Sequence, residues 1–170
     1  EDRDQYTQTE ISEKARREFD AFVELLRASD VDVHVFEERE KGETPDAVFP
    51  NNWMSTHPDG TVVLYPMMAP NRRLERRRDI VDHLEAHYRV SRVLDISDYE
   101  KTGVFLEGTG SIVFDHDAGI AYANASPRTD GELLRRLCRE LDYQPVLLHA
   151  FDRSGQDIYH TNVLLNIGKG

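Results

Sequence analysis

The stretch IVFDHDAGIAYANASPRTDGELLRRLCRELDYQPVLLHAF, residues 112–151, reads as strand, turn, strand, helix, strand. Its turn, Asp115-His116-Asp117-Ala118-Gly119, has hairpin chemistry. Thr129 and Glu132 have the spacing of a capping box, and Leu134, Leu137, Cys138 and Leu141 follow at i, i+3, i+4 and i+7, which predicts an amphipathic helix. Val146 to Phe151 then reads as an apolar strand. The same order recurs upstream. A hairpin turning at Pro58-Asp59-Gly60 precedes a helix after Asn71 with Leu74, Val81, Leu84 and Tyr88 on one side, followed by a strand from Val90 to Ile96. The helix entries correspond, Ala69-Pro70-Asn71 to Ser126-Pro127-Arg128. A first helix is predicted after Ser12 through Ala15, Phe19, Phe22, Val23 and Leu26, with a strand from Val31 to Phe36. Ser12, Asn71 and Thr129 are 59 and 58 residues apart. The chain therefore repeats a strand-strand-helix-strand unit.

Such a unit cannot bury its faces alone, so the expected fold is α/β, with repeated ββαβ modules stacked or closed into a ring like an α/β propeller. The ends break the pattern. The polar run Glu1 to Gln8 supplies no hairpin for the first helix. A last hairpin opens at Asp157-Ile158-Tyr159-His160, and its strand Val163-Leu164-Leu165-Asn166-Ile167 has no helix after it. The expectation is that residues 1–170 hold the end of one module, two whole modules and the start of a fourth, all within a single domain. A complete two-repeat sandwich is the alternative.

With 39% hydrophobic and 31% charged residues the composition is that of a soluble globular chain. No apolar run approaches the roughly 20 residues of a membrane helix, and Glu1-Asp2-Arg3-Asp4-Gln5 lacks signal-peptide character. One cysteine forms no internal disulfide, so a cytoplasmic setting is expected. A formal charge of −11 argues against nucleic acid and anionic membrane as partners, because phosphate neutralisation dominates such binding. A small-molecule partner is expected, with no metal and no other cofactor, and the oligomeric state stays open.

Chemistry concentrates where each hairpin opens. Pro45-Asp46-Ala47-Val48-Phe49-Pro50-Asn51-Asn52-Trp53 sets a carboxylate and two carboxamides among aromatics in a strand-like run. Read alone it is turn chemistry. In register with two later segments, it reads as a ligand site. One of these is Leu106-Glu107-Gly108-Thr109-Gly110-Ser111, where glycines let the backbone approach a ligand closely. The other carries His160 between Tyr159 and Thr161. Glu107 and His160 would make an acid/base pair near neutral pH that lacks only a nucleophile. Cys138 lies on the apolar stripe of its helix and reads as a core residue. Arg128 is either an exposed helix-entry arginine or a fork for a substrate carboxylate. The run Arg72-Arg73, Arg76-Arg77-Arg78 reads mainly as a solvated face, with acidic partners or a bound anion as alternatives. His83 and His87, with Asp79 one turn before, have a spacing that can hold zinc but lack a metalloprotease motif.

In order and spacing, PDAVFPNNW (45–53), LYPMMAPNRRLERR (64–77), LEGTGS (106–111), SPRT (126–129) and YHTNV (159–163) resemble the guanidino-group modifying enzymes. That superfamily includes dimethylarginine dimethylaminohydrolase, arginine deiminase and glycine amidinotransferase. The amidinotransferase-like, citrulline-utilisation hydrolase branch is the nearest, and the resemblance covers nearly the whole chain. It implies five ββαβ modules around an axis, the pentein fold, with a Cys-His-Glu site in the channel. Glu107 and His160 then match the catalytic carboxylate and histidine. Asp46 matches a substrate-binding aspartate, Arg128 an arginine on the substrate α-carboxylate, and Phe49 a pocket wall. The family cysteine would lie beyond Gly170, which implies that these residues by themselves are inactive. Where dimethylarginine-hydrolysing members carry Glu-Asp, this chain has Asn51-Asn52, which removes two charges and suits a neutral ureido group. The implied function is hydrolysis of a non-peptide C–N bond in a citrulline- or arginine-like amino acid. The alternatives are amidino transfer on the same scaffold and a non-catalytic binding protein of the same fold.

Overall fold

A computed structural model of the chain describes residues 7–38 and 44–168. It divides into two compact units, Glu1–Glu37 and Glu38–Gly170.

In the first unit, α1 (Gln8–Ala28) is capped by Thr7, whose hydroxyl accepts from Glu10 N while the Glu10 carboxylate accepts from Thr7 N at 2.8 Å. The helix thus starts a turn before the expected Ser12. Ser12 has Ala15 three residues on, which cannot reach back, whereas Thr7 has Glu10. Val31 to Phe36 is not a strand, and no ladder partner for it exists among the described residues. The polar opening Glu1 to Tyr6 lies outside the described residues.

The second unit holds two modules with one topology. In the first, β1 (Met54–Thr56) and β2 (Thr61–Leu64) pair antiparallel across the Pro58-Asp59-Gly60 turn, where Gly60 takes φ +84°. Two short helices, α2 (Pro70–Arg73) and α3 (Arg78–His87), lead to β3 (Arg92–Asp95), which pairs parallel with β2. A one-turn helix α4 (Gly108–Ser111) opens the next module. There β4 (Ile112–Asp115) and β5 (Ile120–Asn124) pair antiparallel, α5 (Gly131–Leu141) crosses over, and β6 (Gln144–Leu148) pairs parallel with β5. The core runs from Val63 and Tyr65 through Leu106, Ile112 and Ala121 to Leu133, Leu134, Leu137 and Cys138, so the apolar stripe read for α5 is the one that is buried. Burial pushes the Cys138 thiol up to about 11, which makes it a core residue and a poor nucleophile.

Several boundaries differ from expectation. The helix read after Asn71 breaks between Arg73 and Arg78, and Leu74 and Tyr88 are exposed. The arginine run explains the break. Arg73 donates to the Met67 and Met68 carbonyls, and Arg76 to the Tyr65 carbonyl and Glu100, so guanidinium groups face inward where a regular amphipathic helix would place aliphatics. Most of this run is therefore paired with carboxylates, the acidic-partner alternative. Asp130, not Thr129, caps α5, accepting from Leu133 N at 2.8 Å; Thr129 is buried instead. Residues 45–48 form a turn and Pro50–Asn52 a 3-10 turn, not a strand. Thr161–Val163 is likewise a 3-10 turn, and no strand forms over 163–167. The His83 and His87 rings stack at 4.0 Å, and His87 Nδ1 meets the His83 carbonyl.

Candidate active site

Each module places a short helical turn just ahead of its hairpin: Pro50–Asn52 before β1 and α4 before β4. A third, Thr161–Val163, follows His160. These turns meet around α4, and the meeting depends on two glycines. Gly108 has φ +45°, and a Cβ there would stand 2.2 Å from the Asn51 carbonyl oxygen. A Cβ on Gly110 would stand 2.3 Å from Asn52 Nδ2 and 3.1 Å from His160 Nδ1 and Cε1. Only a residue without a side chain lets the first turn and His160 close onto α4.

Glu107, the residue entering α4, is fully buried. Its Oε1 accepts from Met68 N at 3.0 Å, and its Oε2 accepts from His160 Nε2 at 2.8 Å and from Arg128 Nη1 at 3.2 Å. Burial alone would raise this carboxyl. The bonds from His160 and Met68 and the Arg128 charge outweigh it and hold the group below the ordinary glutamate range. An ionised carboxylate only accepts, so His160 Nε2 carries a proton toward Glu107, and Nδ1, beside Gly110, is the nitrogen left to give or take one.

His160 is fixed through its neighbour. Thr161 Oγ1 accepts from Asn124 N at 2.7 Å and donates to the Ser111 carbonyl at 2.6 Å, joining β5 to α4. The buried Asn124 amide donates to the Ala150 and Ile158 carbonyls and accepts from Ala150 N. Neither Thr161 nor Asn124 carried a local sequence signal, because their partners lie 26 to 50 residues away.

Arg128 is not an isolated, exposed helix-entry arginine. It pairs with Glu107, and its guanidinium lies 5.0 Å from the Tyr159 ring centroid. Asn52 is buried, with Oδ1 accepting from Arg72 Nη1 at 3.1 Å. Asn51 is half-buried, and its carboxamide has no hydrogen-bond partner among the described residues. Asp46 and Phe49 are held by their carbonyls, which accept from Arg72 Nη2; the Phe49 ring is mostly exposed. Arg72 is thus the hub that sequence reading missed. It is 6% exposed and forks onto Glu75, which is also buried and whose carboxyl burial raises despite the guanidinium. The signal was Arg72-x-x-Glu75, hidden in a run of five arginines.

A carboxylate–histidine pair beside a guanidinium, with carboxamides nearby, can fix a planar nitrogen-bearing group and move protons at one nitrogen. Among the described residues no group of three His, Cys, Asp or Glu could hold a metal, and no helix is long and apolar enough to cross a membrane.

The family profile described as N,N dimethylarginine dimethylhydrolase, eukaryotic, matches residues 2–170. The chain is also similar to solved structures. A dimethylarginine dimethylaminohydrolase adduct with 4-chloro-2-hydroxymethylpyridine aligns at TM-score 0.68 and 19% identity, over 91% of this chain and 56% of that one. DDAH from Pseudomonas aeruginosa, a mutant complexed with citrulline, aligns at 0.60 and 20%, over 81% and 50%. Apo ArgZ, an arginine dihydrolase from the ornithine-ammonia cycle in cyanobacteria, aligns at 0.64 and 20%, over 86% and 22%. A comparison with curated protein sequences gives no match. The chain spans about half the length of the first two dimethylaminohydrolase structures it matches, and its two ββαβ modules have the fold of the pentein-type α/β propeller.

Proposed function

The chain belongs to the N,N dimethylarginine dimethylhydrolase family, within the guanidino-group modifying penteins, and on that premise we propose that the full-length gene product hydrolyses a non-peptide C–N bond of a ureido or guanidino amino acid. Residues 1–170 would supply two of its modules and parts of two more, in one propeller domain. The observation that carries the reading is the fully buried Glu107, bonded at once to His160, Arg128 and Met68 N. A carboxylate desolvated to this degree is costly unless it is paired, and here its partners are a histidine and an arginine.

In this reading a thiolate from outside residues 1–170 attacks the ureido or amidino carbon, since Cys138 is buried and protonated. The C–N bond breaks as the departing nitrogen takes a proton from His160. Water then gives a proton to His160 and attacks the thio-intermediate, releasing product and the thiolate. Because Nε2 is held by Glu107, this proton traffic belongs to Nδ1. Glu107 orients the imidazole and holds planar nitrogens. Arg128 would take a substrate carboxylate, exchanging Glu107 for it, while Asp46, Phe49, Asn51 and Asn52 would line the entry. The neutral Asn51-Asn52 pair favours a citrulline-like ureido substrate over a cation. A cytoplasmic setting belongs to the same proposal and rests on the single thiol.

The test is turnover of citrulline, arginine and methylated arginines by the full-length gene product, with ammonia and amine product quantified. Citrulline hydrolysis that survives Cys138→Ala is expected. Turnover only when an acceptor amine is present would replace hydrolysis with amidino transfer, and loss of activity in Cys138→Ala would overturn the assignment of the nucleophile.

A further inference from the structure

The two carboxamides at the site are not alike, and Arg72 makes the difference. A guanidinium has only N–H donors. Its Nη1 lies 3.1 Å from the Asn52 side chain, so the atom facing it is the carboxamide oxygen; the reverse orientation would set N–H against N–H. Nor can Arg72 turn to accommodate a flip. Nε and Nη2 fork onto the two Glu75 oxygens at 3.0 Å each, and Nη2 also reaches the Phe49 and Asp46 carbonyls at 3.2 and 3.4 Å. Arg72, Glu75 and Asn52 are all buried. With its oxygen committed, Asn52 must turn its amide nitrogen the other way, toward Gly110, where His160 Nδ1 and Cε1 also converge. Nδ2 has no hydrogen-bond partner among the described residues.

We propose that Arg72 is a specificity-determining residue that acts through Asn52: by holding the carboxamide oxygen away from the site, it makes the contact beside His160 a hydrogen-bond donor. The inference rests on the ureido/guanidino reading above and decides between its two substrate classes. A guanidinium offers N–H at every nitrogen and meets this contact donor to donor. A ureido group carries a carbonyl oxygen on the reacting carbon and meets it donor to acceptor. Arg72 is a positioning residue, and its signature is a ratio between substrates, not a rate.

The experiment compares L-citrulline with L-arginine, by kcat/KM and by calorimetric binding, in the full-length protein and in Asn52→Asp and Arg72→Lys. Asn52→Asp keeps one oxygen on Arg72 and puts an acceptor where Nδ2 stood, so the citrulline-to-arginine ratio should move toward arginine by about ten- to a hundredfold. Arg72→Lys keeps a charge against Glu75 but cannot span Glu75 and Asn52 together; the unlocked amide should lower the ratio while Asn52→Asp in that background changes it less. If Arg72→Lys does not fold, Asn52→Asp decides alone. A starting protein that prefers arginine, or a folded Asn52→Asp that loses both substrates equally, overturns the inference. Selective citrulline binding without turnover leaves the inference standing and removes the hydrolytic reading.

Discussion

Two histidines in this fold are equally buried, each 8% exposed, and differ in what meets them. His160 Nε2 rests on the Glu107 carboxylate at 2.8 Å. His57 Nε2 meets the Ser55 hydroxyl at 2.9 Å, which in turn meets the Tyr65 hydroxyl at 2.7 Å, and His57 Nδ1 is buried without a partner among the described residues. The rings of Phe114, His116 and Tyr143 surround His57. Desolvation first, then repulsion from His116, drives His57 down to about 4, so it stays neutral and inert near neutral pH. Burial alone does not make a working histidine. A carboxylate fixes one nitrogen and supports charge on the other; a hydroxyl and aromatic rings do neither.

Removing the carboxylate breaks the contrast outright. Glu107→Gln can donate to His160 as well as accept, so the fixed tautomer is lost, and kcat should fall by about 10³-fold in steady-state assays. Gly110→Ala tests the close approach. Its methyl would stand 2.3 Å from Asn52 Nδ2 and 3.1 Å from the His160 ring, so turnover should be largely lost, along with about 1–3 kcal/mol of stability by urea denaturation. Asn124→Ala leaves the Ala150 N–H and two carbonyls without their partner and frees the segment before His160; about 2–3 kcal/mol of stability should go, with a smaller loss in kcat.

The smallest effect at neutral pH sharpens the comparison through acid titration. His57 is held at about 4 against an ordinary 6.5. Its folded pKa lies below the unfolded one, so the unfolded state takes the proton first as pH falls. The stability that depends on a neutral His57 is intact above about 6.5 and lost between about 6.5 and 4, on the order of 3 kcal/mol in full. His57→Phe should flatten that slope. Glu107, whose carboxyl is lowered, acts in a lower window: its contribution is present above the unfolded glutamate pKa and lost as pH falls through the folded value, and His57→Phe should leave that limb unchanged. Urea midpoints at pH 7, 5.5 and 4 check the His57 limb, and points continued below pH 4 check that of Glu107.

Much of this was legible because it is local. Gly60 and Gly119 mark hairpin turns, the Leu134-Leu137-Cys138 stripe marks α5, and the recurrence of the whole unit near 58 residues gives the modules. Glu107 and His160 stood out by their place at the hairpin entries. What failed was decided by partners distant in sequence. Val163 to Ile167 has strand composition but no neighbouring strand to pair with among the described residues, so local pattern overstates it. Asp130 and Thr129 can both cap a helix, and only packing of Thr129 into the interior selects Asp130. Among five clustered arginines, charge does not say which one is buried; Arg72 is, because Glu75, Asn52 and two carbonyls converge on it.

The central claim is that chemistry belongs to the histidine that Glu107 holds. Its most direct test is citrulline turnover in the full-length protein carrying His160→Ala, set beside the same protein carrying His57→Phe. Turnover abolished by the first and retained by the second is the predicted result. Turnover that survives His160→Ala, or that falls equally in both folded variants, would contradict it.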